Sequence, residues 1–288
     1  TFKFGENRGE ARQMTVLLIK PDLPVSKDRP NIVGVESVEL KKSVRMDLKL
    51  DRTPNAQPIT VKCTDAFRYR LETRTATFDK NVMAYRRNAD SPTKFDRLLC
   101  DRLTVAFDPK DPLSETTAPD PRRKGDFQRI ESRLQFRSLK AEGERVGLRL
   151  EGQQDLMAVM TMLTYDAQAR AIEMTAPQAV DVVQRHNRLQ CPRIRLTLGE
   201  ENSLDEVLCQ GVGWLESYDQ ETGELAFAAD WMKQLKKSTD AETQLDVIEL
   251  EQDASFRQPS RDTALGADLI RLWFAAGGGN AGDGESFP

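Results

Sequence analysis

The stretch Phe95-Asp-Arg-Leu-Leu-Cys-Asp-Arg-Leu-Thr-Val-Ala-Phe107 decides the fold. Its second half sets Leu103, Val105 and Phe107 on one side of an extended chain, because side chains alternate along a strand. The same period recurs. Residues 193–198 put Ile194, Leu196 and Leu198 opposite Arg193, Arg195 and Thr197. Residues 144–150 set Val146, Leu148 and Leu150 against Arg145, Gly147 and Arg149, and residues 44–50 set Val44, Met46, Leu48 and Leu50 against Arg45, Asp47 and Lys49. At 245–250, Ile248 and Leu250 oppose Val247 and Glu249, and at 268–274 Ile270, Leu272 and Phe274 fall in phase. The pattern predicts half-buried antiparallel strands with one wet face each, and an all-β chain.

Helical signals are few. Residues 156–163 (LMAVMTML) and 229–237 (ADWMKQLKK) are open to helix by composition, since short apolar runs fit either period. Tyr165-Asp-Ala-Gln168 reads as a hairpin turn. Turn residues at 51–55, 87–92, 151–152, 200–203 and 220–223 separate the alternating runs. Residues 108–126 hold prolines and charges in a long break, read as an exposed loop rather than a boundary because the strand pattern is the same on both sides. Residues 275–288 have flexible Gly-rich linker composition. The expected organisation is one β domain over 1–274 with a Pro-rich loop at 108–126, then a tail at 275–288.

Composition narrows the chemistry. The 288 residues carry 42 Lys plus Arg against 46 Asp plus Glu, a net charge of −4, so the basic excess of a bulk nucleic-acid binder is missing. His186 is the one histidine, which excludes a zinc site needing two and the HExxH motif. It sits in the polar turn Gln184-Arg-His-Asn-Arg188 and reads as a surface residue. No GxSxG or P-loop string occurs, and Gly211-Val-Gly213 lacks the third glycine of a dinucleotide loop. No metal or other cofactor is expected. Cys63, Cys100, Cys191 and Cys209 form no CxxC pair and lie in or beside apolar runs, which favours buried free thiols over bridges. No apolar run is long enough to span a bilayer as a helix. The chain begins at Thr1 without a signal-peptide core and reads as a processed or trimmed product.

A unit recurs. Residues 67–85 run as strand, turn and strand to an Asn81-Val82 step, followed by the Leu-x-Cys-Asp-x-Leu strand of 95–107. Residues 163–183 and 189–198 repeat the cadence through Leu-x-Cys, and 248–256 with 265–274 give a looser copy. Stacked units of a few strands each are the mark of a quasi-one-dimensional β structure.

The phrase Thr-Phe-x-x-Asn-Val at 77–82, the phrase Leu-x-Cys-Asp-x-Leu-x-Val-x-Phe that follows, and Leu265-Gly-Ala-Asp-Leu-Ile-Arg-Leu-Trp273 resemble the OstA-like repeat of the periplasmic lipopolysaccharide-transport proteins. The likeness covers 32–274 as degenerate copies, and the chain departs from the small family members in its length and its Pro-rich insertion. The resemblance implies an elongated antiparallel β-jellyroll, or β-taco, in the periplasm or cell envelope. It implies no enzyme activity. The partner would be a glycolipid such as lipopolysaccharide, its acyl chains sheltered in an apolar trough, and end-to-end strand pairing with like domains would extend that trough. The trough-facing candidates are Val82, Leu103, Val105, Phe107, Val146, Leu148, Leu150, Ile194, Leu196, Leu198, Ile248, Leu250, Ile270 and Leu272. A trough tolerates no lone ionised group, which an apolar inner set satisfies.

Other readings stay open. Inward apolar residues are also what a filled core needs, and alternation does not separate the two. Arg122, Arg123 and Lys124 could attract phosphorylated headgroups or simply be solvated. Trp214, Trp231 and Trp273 could stack on sugars or serve as core and edge cover. The remaining alternatives are a structural envelope module that joins through exposed strand edges, and an extended β-solenoid glycan-cleaving enzyme working through paired carboxylates.

Overall fold

The structure, a computed structural model, describes residues 2–4, 7–18, 35–48, 58–88, 91, 93–109, 134–151, 155–199, 203–240, 243 and 245–274. Apart from connecting turns and one 3₁₀ turn at Pro259–Arg261, the described residues are strand, and the registers described are antiparallel. It divides into two compact units, Thr1–Gly143 and Glu144–Pro288. Most of the loop expected at 108–126, the cluster at Arg122–Lys124, the turn at 51–55 and the tail from 275 lie outside the described residues.

The first unit holds β1 (Phe2–Phe4), β2 (Asn7–Glu10), β3 (Gln13–Leu18), β4 (Val35–Lys41), β5 (Val44–Leu48), β6 (Ile59–Cys63), β7 (Ala66–Arg70), β8 (Thr75–Arg87) and β9 (Phe95–Pro109). Their ladders form one continuous hydrogen-bonded network, which a corner divides into two sheets sharing the long strands. One runs β1, β2, β5, β6, the second half of β8 and the first half of β9. The other runs β3, β4, β7, the first half of β8 and the second half of β9. The change of sheet falls between Asp79 and Val82, where the register shifts and Lys80 and Asn81 take φ of 64° and 49°. A bulge of this kind bends a strand without ending it. Lys42–Ser43 and Thr64–Asp65 turn the same corner between shorter strands. Backbone bonds from Lys42 N to Asp65 O (2.8 Å), Ser43 N to Thr64 O (3.2 Å) and Thr64 N to Lys80 O (3.0 Å) join the corners into a seam.

β10 (Leu134–Leu150) leads in sequence from the first unit into the second. The second unit continues with β11 (Leu156–Asp166), β12 (Ala171–Gln184), β13 (Asn187–Leu198), β14 (Leu204–Gln210), β15 (Gly213–Tyr218), β16 (Leu225–Trp231), β17 (Gln234–Thr239), β18 (Asp246–Gln258) and β19 (Thr263–Phe274). The plan is the same. β11, β12, β13, β18 and β19 each serve two sheets; β14 and β17 belong to one sheet, β15 and β16 to the other. The corners stand at Gly211, Met232–Lys233 and Gln252–Asp253. They are tied by Gly211 N to Lys233 O (2.8 Å) and Met232 N to Gln252 O (2.9 Å). Gly211 has φ of 90° and rests on Pro192, so a side chain there meets both backbone strain and a neighbour.

The all-β antiparallel expectation holds, and the recurrent unit corresponds to this corner-turning two-sheet plan. The two segments left open to helix are strands. Residues 156–163 lie in β11, and 229–237 run from β16 through the Met232–Lys233 corner into β17. Pairing with β12 in one case and with β15 and β18 in the other outweighs the helical composition. The turn at Tyr165–Gln168 forms, as turn residues 167–170 between β11 and β12. At 220–223 the Asp219 carboxylate accepts from the backbone N–H and the hydroxyl of Thr222 and from the backbone N–H of Glu221, which holds its pKa down.

Candidate functional site

Register converts alternation into rows of side chains that cross whole sheets. In the first unit Met14, Leu40, Phe67, Phe78 and Leu103 are successive cross-strand partners from β3 to β9. Beside them run Val16, Val38, Tyr69, Ala76 and Val105. Leu40, Phe67, Phe78, Leu103, Ala76 and Val105 are buried. At the edge strand the cover ends: Met14 is 52% exposed and Val16 37%. In the other sheet of this unit Gly9, Met46, Val61, Ala84 and Leu98 form a row. Val82 is paired with Cys100, and both are buried.

The second unit has a longer row. Leu163, Met174, Ile194, Cys209, Leu235, Leu250 and Ile270 are partners across seven strands, β11, β12, β13, β14, β17, β18 and β19, and all are buried. The next row out is Tyr165, Ile172, Leu196, Val207, Lys237, Ile248 and Leu272. Lys237 is the charged member, and its ammonium meets Asp246 at 3.4 Å. In the companion sheet Ala158, Val182, Leu189, Leu215, Ala229, Phe256 and Leu265 are partners. That row also ends uncovered, with Leu265 45% exposed on β19.

The sequence candidates fall on these rows or beside them. Ile194, Leu250 and Ile270 share one row; Leu196, Ile248 and Leu272 share the next; Leu103 and Val105 lie in neighbouring rows of the first unit. Val146 is buried on β10, while Leu148, Leu150, Phe107 and Leu198 are half-buried. Leu198 pairs with Leu204 where the β13–β14 register slips. The sequence reading passed over Leu40, Phe67, Phe78, Met174 and Leu235. Phe67 and Phe78 carried a usable signal, since both lie in the strand–turn–strand phrase of the recurrent unit.

Polar groups inside the apolar layers are few and informative. Tyr69 lies on an inward row, and its hydroxyl is buried with no hydrogen-bond partner; burial also raises its pKa. The Trp231 indole Nε1 is likewise buried and unpartnered. Each orphaned group costs about 1–3 kcal/mol. Trp231 packs on Gly213, where a Cβ would stand 2.4 Å from the ring and 2.7 Å from Gln190 O. Of the other tryptophans, Trp214 is half-buried and Trp273 is 55% exposed on β19.

The four cysteines are free and buried, as their apolar surroundings suggested. Burial pushes the thiol of Cys63 up to about 11 and that of Cys100 up to about 12. Cys209 is raised well above the ordinary thiol range by its hydrogen bond with Cys191, and then by burial. His186 is exposed in the turn between β12 and β13. Among the described residues no cluster of three His, Cys, Asp or Glu groups could hold a metal ion, and no helix is long and apolar enough to cross a membrane.

No family model and no curated protein matches the chain. Among solved structures it is similar to LptH of Pseudomonas aeruginosa, described as the LptA-homologous periplasmic component of the lipopolysaccharide transport device. The match has 11% identity and a TM-score of 0.31, and covers 52% of this chain and 93% of that one.

Proposed function

We propose that the protein is a non-enzymatic cell-envelope module that shelters the acyl chains of a glycolipid of the lipopolysaccharide type between the two sheets of a unit, leaving the sugar in water. The observation behind this reading is the pair of apolar rows that cross the first unit without a charge and come out uncovered at Met14 and Val16. β3 is exposed along its whole length, so these inward rows end open to water, as the mouth of a lipid-holding interior would require. Tyr69 supports the same reading, because an acyl ester or amide carbonyl would accept from its orphaned hydroxyl. In the second unit Lys237 stands one row out from the buried row, where a headgroup phosphate or carboxylate could meet its ammonium. The lining residues would be Leu103, Val105 and Phe107 in the first unit with Val82 behind them. In the second they would be Ile194, Leu196, Leu198, Ile248, Leu250, Ile270 and Leu272, with Val146, Leu148 and Leu150 of β10.

The edges supply the second part of the proposal. Among the described residues β3 pairs only with β4, and β19 only with β18. Both show exposed apolar side chains, Leu17 and Leu18 on β3 and Leu269 and Trp273 on β19. Unpaired strand edges of this composition are templates for strand addition, so a like-folded domain would pair there. The site of action is the periplasm or cell envelope.

A structural module without lipid is the competing reading, favoured by one specific observation. Leu40, Phe78, Val146 and Leu250 are buried completely, so the middle of each layer is closed in this state. Lipid extraction and mass spectrometry of the protein purified from its own host separate the two. Recovery of a stoichiometric acylated glycolipid is expected. A lipid-free protein that also takes up no acyl probe on titration rejects the sheltering reading and leaves the structural one.

A further inference from the structure

The outer face of the sheet formed by β3, β4, β7, β8 and β9 carries a cleft of about 290 Å³, with Arg68, Arg70, Arg102, Thr77 and Thr104 in its lining. Strand alternation puts them there. Phe67 and Tyr69 take the inward face of β7, so Arg68 and Arg70 take the outward one. Arg68, Thr77 and Thr104 are partners across three strands, Arg70 stands opposite Thr75 one row along, and Arg102 stands opposite Asp79 one row the other way.

The carboxylates at this cleft are already neutralised. Asp79 is buried and accepts from Arg68 Nη1 at 2.6 Å and from Arg102 Nε at 2.7 Å, one bond on each oxygen. Glu39 accepts from Arg68 Nε at 2.7 Å and lies 2.9 Å from the Lys41 ammonium; these two neighbours hold its pKa down. Glu142 takes the Lys140 ammonium at 2.7 Å. The donors, by contrast, are in surplus. A guanidinium carries five N–H donors; these pairs engage two of them on Arg68 and one on Arg102. Among the described residues Arg70 forms no ion pair and the hydroxyls of Thr77 and Thr104 hold no hydrogen bond. The Asp79 and Glu39 carboxylates also hold Arg68 in place before any ligand arrives, which reduces the ordering cost of binding.

We propose that this cleft binds a phosphate monoester, its terminal phosphate over the Thr77–Thr104 pair with Arg68, Arg70 and Arg102 around it. A phosphate dianion offers acceptors alone, and forked guanidinium donors with adjacent hydroxyls match it. The volume is at the low end for ligand pockets, which fits one phosphorylated sugar and not a larger molecule. The proposal concerns the wet face of the sheet and stands whether or not the interior takes acyl chains.

The phosphate could come from a soluble metabolite or from a lipid headgroup, and two probes separate these sources. Glucose 6-phosphate is titrated by calorimetry, with glucose as the control. Phosphatidylcholine vesicles with and without a tenth of phosphatidic acid (about 10 mol%) are tested by flotation. The full chain is compared with Arg70→Gln, an exposed substitution that breaks no ion pair and is checked by circular dichroism. Binding of glucose 6-phosphate assigns a soluble source, and binding of phosphatidic acid vesicles alone assigns a headgroup. In either case Arg70→Gln weakens binding about ten-fold or more, the size expected for losing a charge-assisted donor. Absence of binding to both probes, or equal binding by Arg70→Gln, overturns the proposal.

Discussion

Replacing Tyr69 by Phe tests the interior more sharply than any truncation. The hydroxyl is the only atom removed, and it is buried without a partner. Losing an orphaned buried hydroxyl relieves its desolvation cost, so the lipid-free Tyr69→Phe protein gains about 1–3 kcal/mol. For a chain of this size each kcal/mol moves the melting temperature by about 2–4 °C, and the expected rise is several degrees. Delipidated wild type and variant are unfolded in urea and followed by far-ultraviolet circular dichroism, with the midpoint and slope read separately. The same measurement is repeated with a saturating acyl ligand. Once a ligand carbonyl accepts from the hydroxyl, the variant has lost a bond worth about 1 kcal/mol, and its advantage shrinks or reverses. A lipid-free Tyr69→Phe protein that is less stable than wild type by 1 kcal/mol or more (roughly the worth of one made hydrogen bond) would refute the reasoning, since the hydroxyl would then have a protein partner.

Two further expectations follow from the packing. Gly213→Ala drives a Cβ to 2.4 Å from the Trp231 ring and 2.7 Å from Gln190 O. Because the carbonyl belongs to the paired strand, the cost is about 1–3 kcal/mol, with a blunted and shifted tryptophan emission; an unchanged urea midpoint contradicts the packing. The buried thiols also make stability fall in alkali. The Cys63 thiol is raised from 9.0 to about 11 and that of Cys100 to about 12. Both therefore bind more protons folded than unfolded above pH 9, and their contribution, complete below 9, is lost as pH climbs toward those values. The check is the urea midpoint at pH 8 and at pH 10.5, with Cys63→Ala compared with wild type. The variant should lose less stability over that interval, and an equal loss rejects the assignment.

Much of the layer structure was legible because a half-buried strand has a period of two. The runs at 193–198, 245–250 and 268–274 placed Ile194, Leu250 and Ile270 on inner faces, and long-range pairing then set them in one row. The pairing itself was not legible. Leu163 and Ile270 share that row through strands far apart in sequence, and no local signal fixes such a register. The corners were hidden for another reason. Lys80–Asn81 and Gln252–Asp253 adopt left-handed conformations without glycine, held by bonds to neighbouring corners, so one continuous run of sequence serves two sheets. The same tertiary control made strands of 156–163 and 229–237. The outer cleft escaped because its arginines look like ordinary wet-face residues until register brings Arg68, Thr77 and Thr104 into line.

The most direct measurement of acyl sheltering is site-resolved photocrosslinking. A photoreactive phenylalanine analogue is placed at the half-buried inward positions Phe107, Leu196 and Leu272, and at the outward positions Leu99 and Leu269 as controls. Each protein is mixed with a radiolabelled acylated glycolipid and irradiated. Lipid adducts at Phe107, Leu196 and Leu272 with none at Leu99 or Leu269 are the predicted result. Adducts of equal yield on both faces, or none at the inward positions, contradict it.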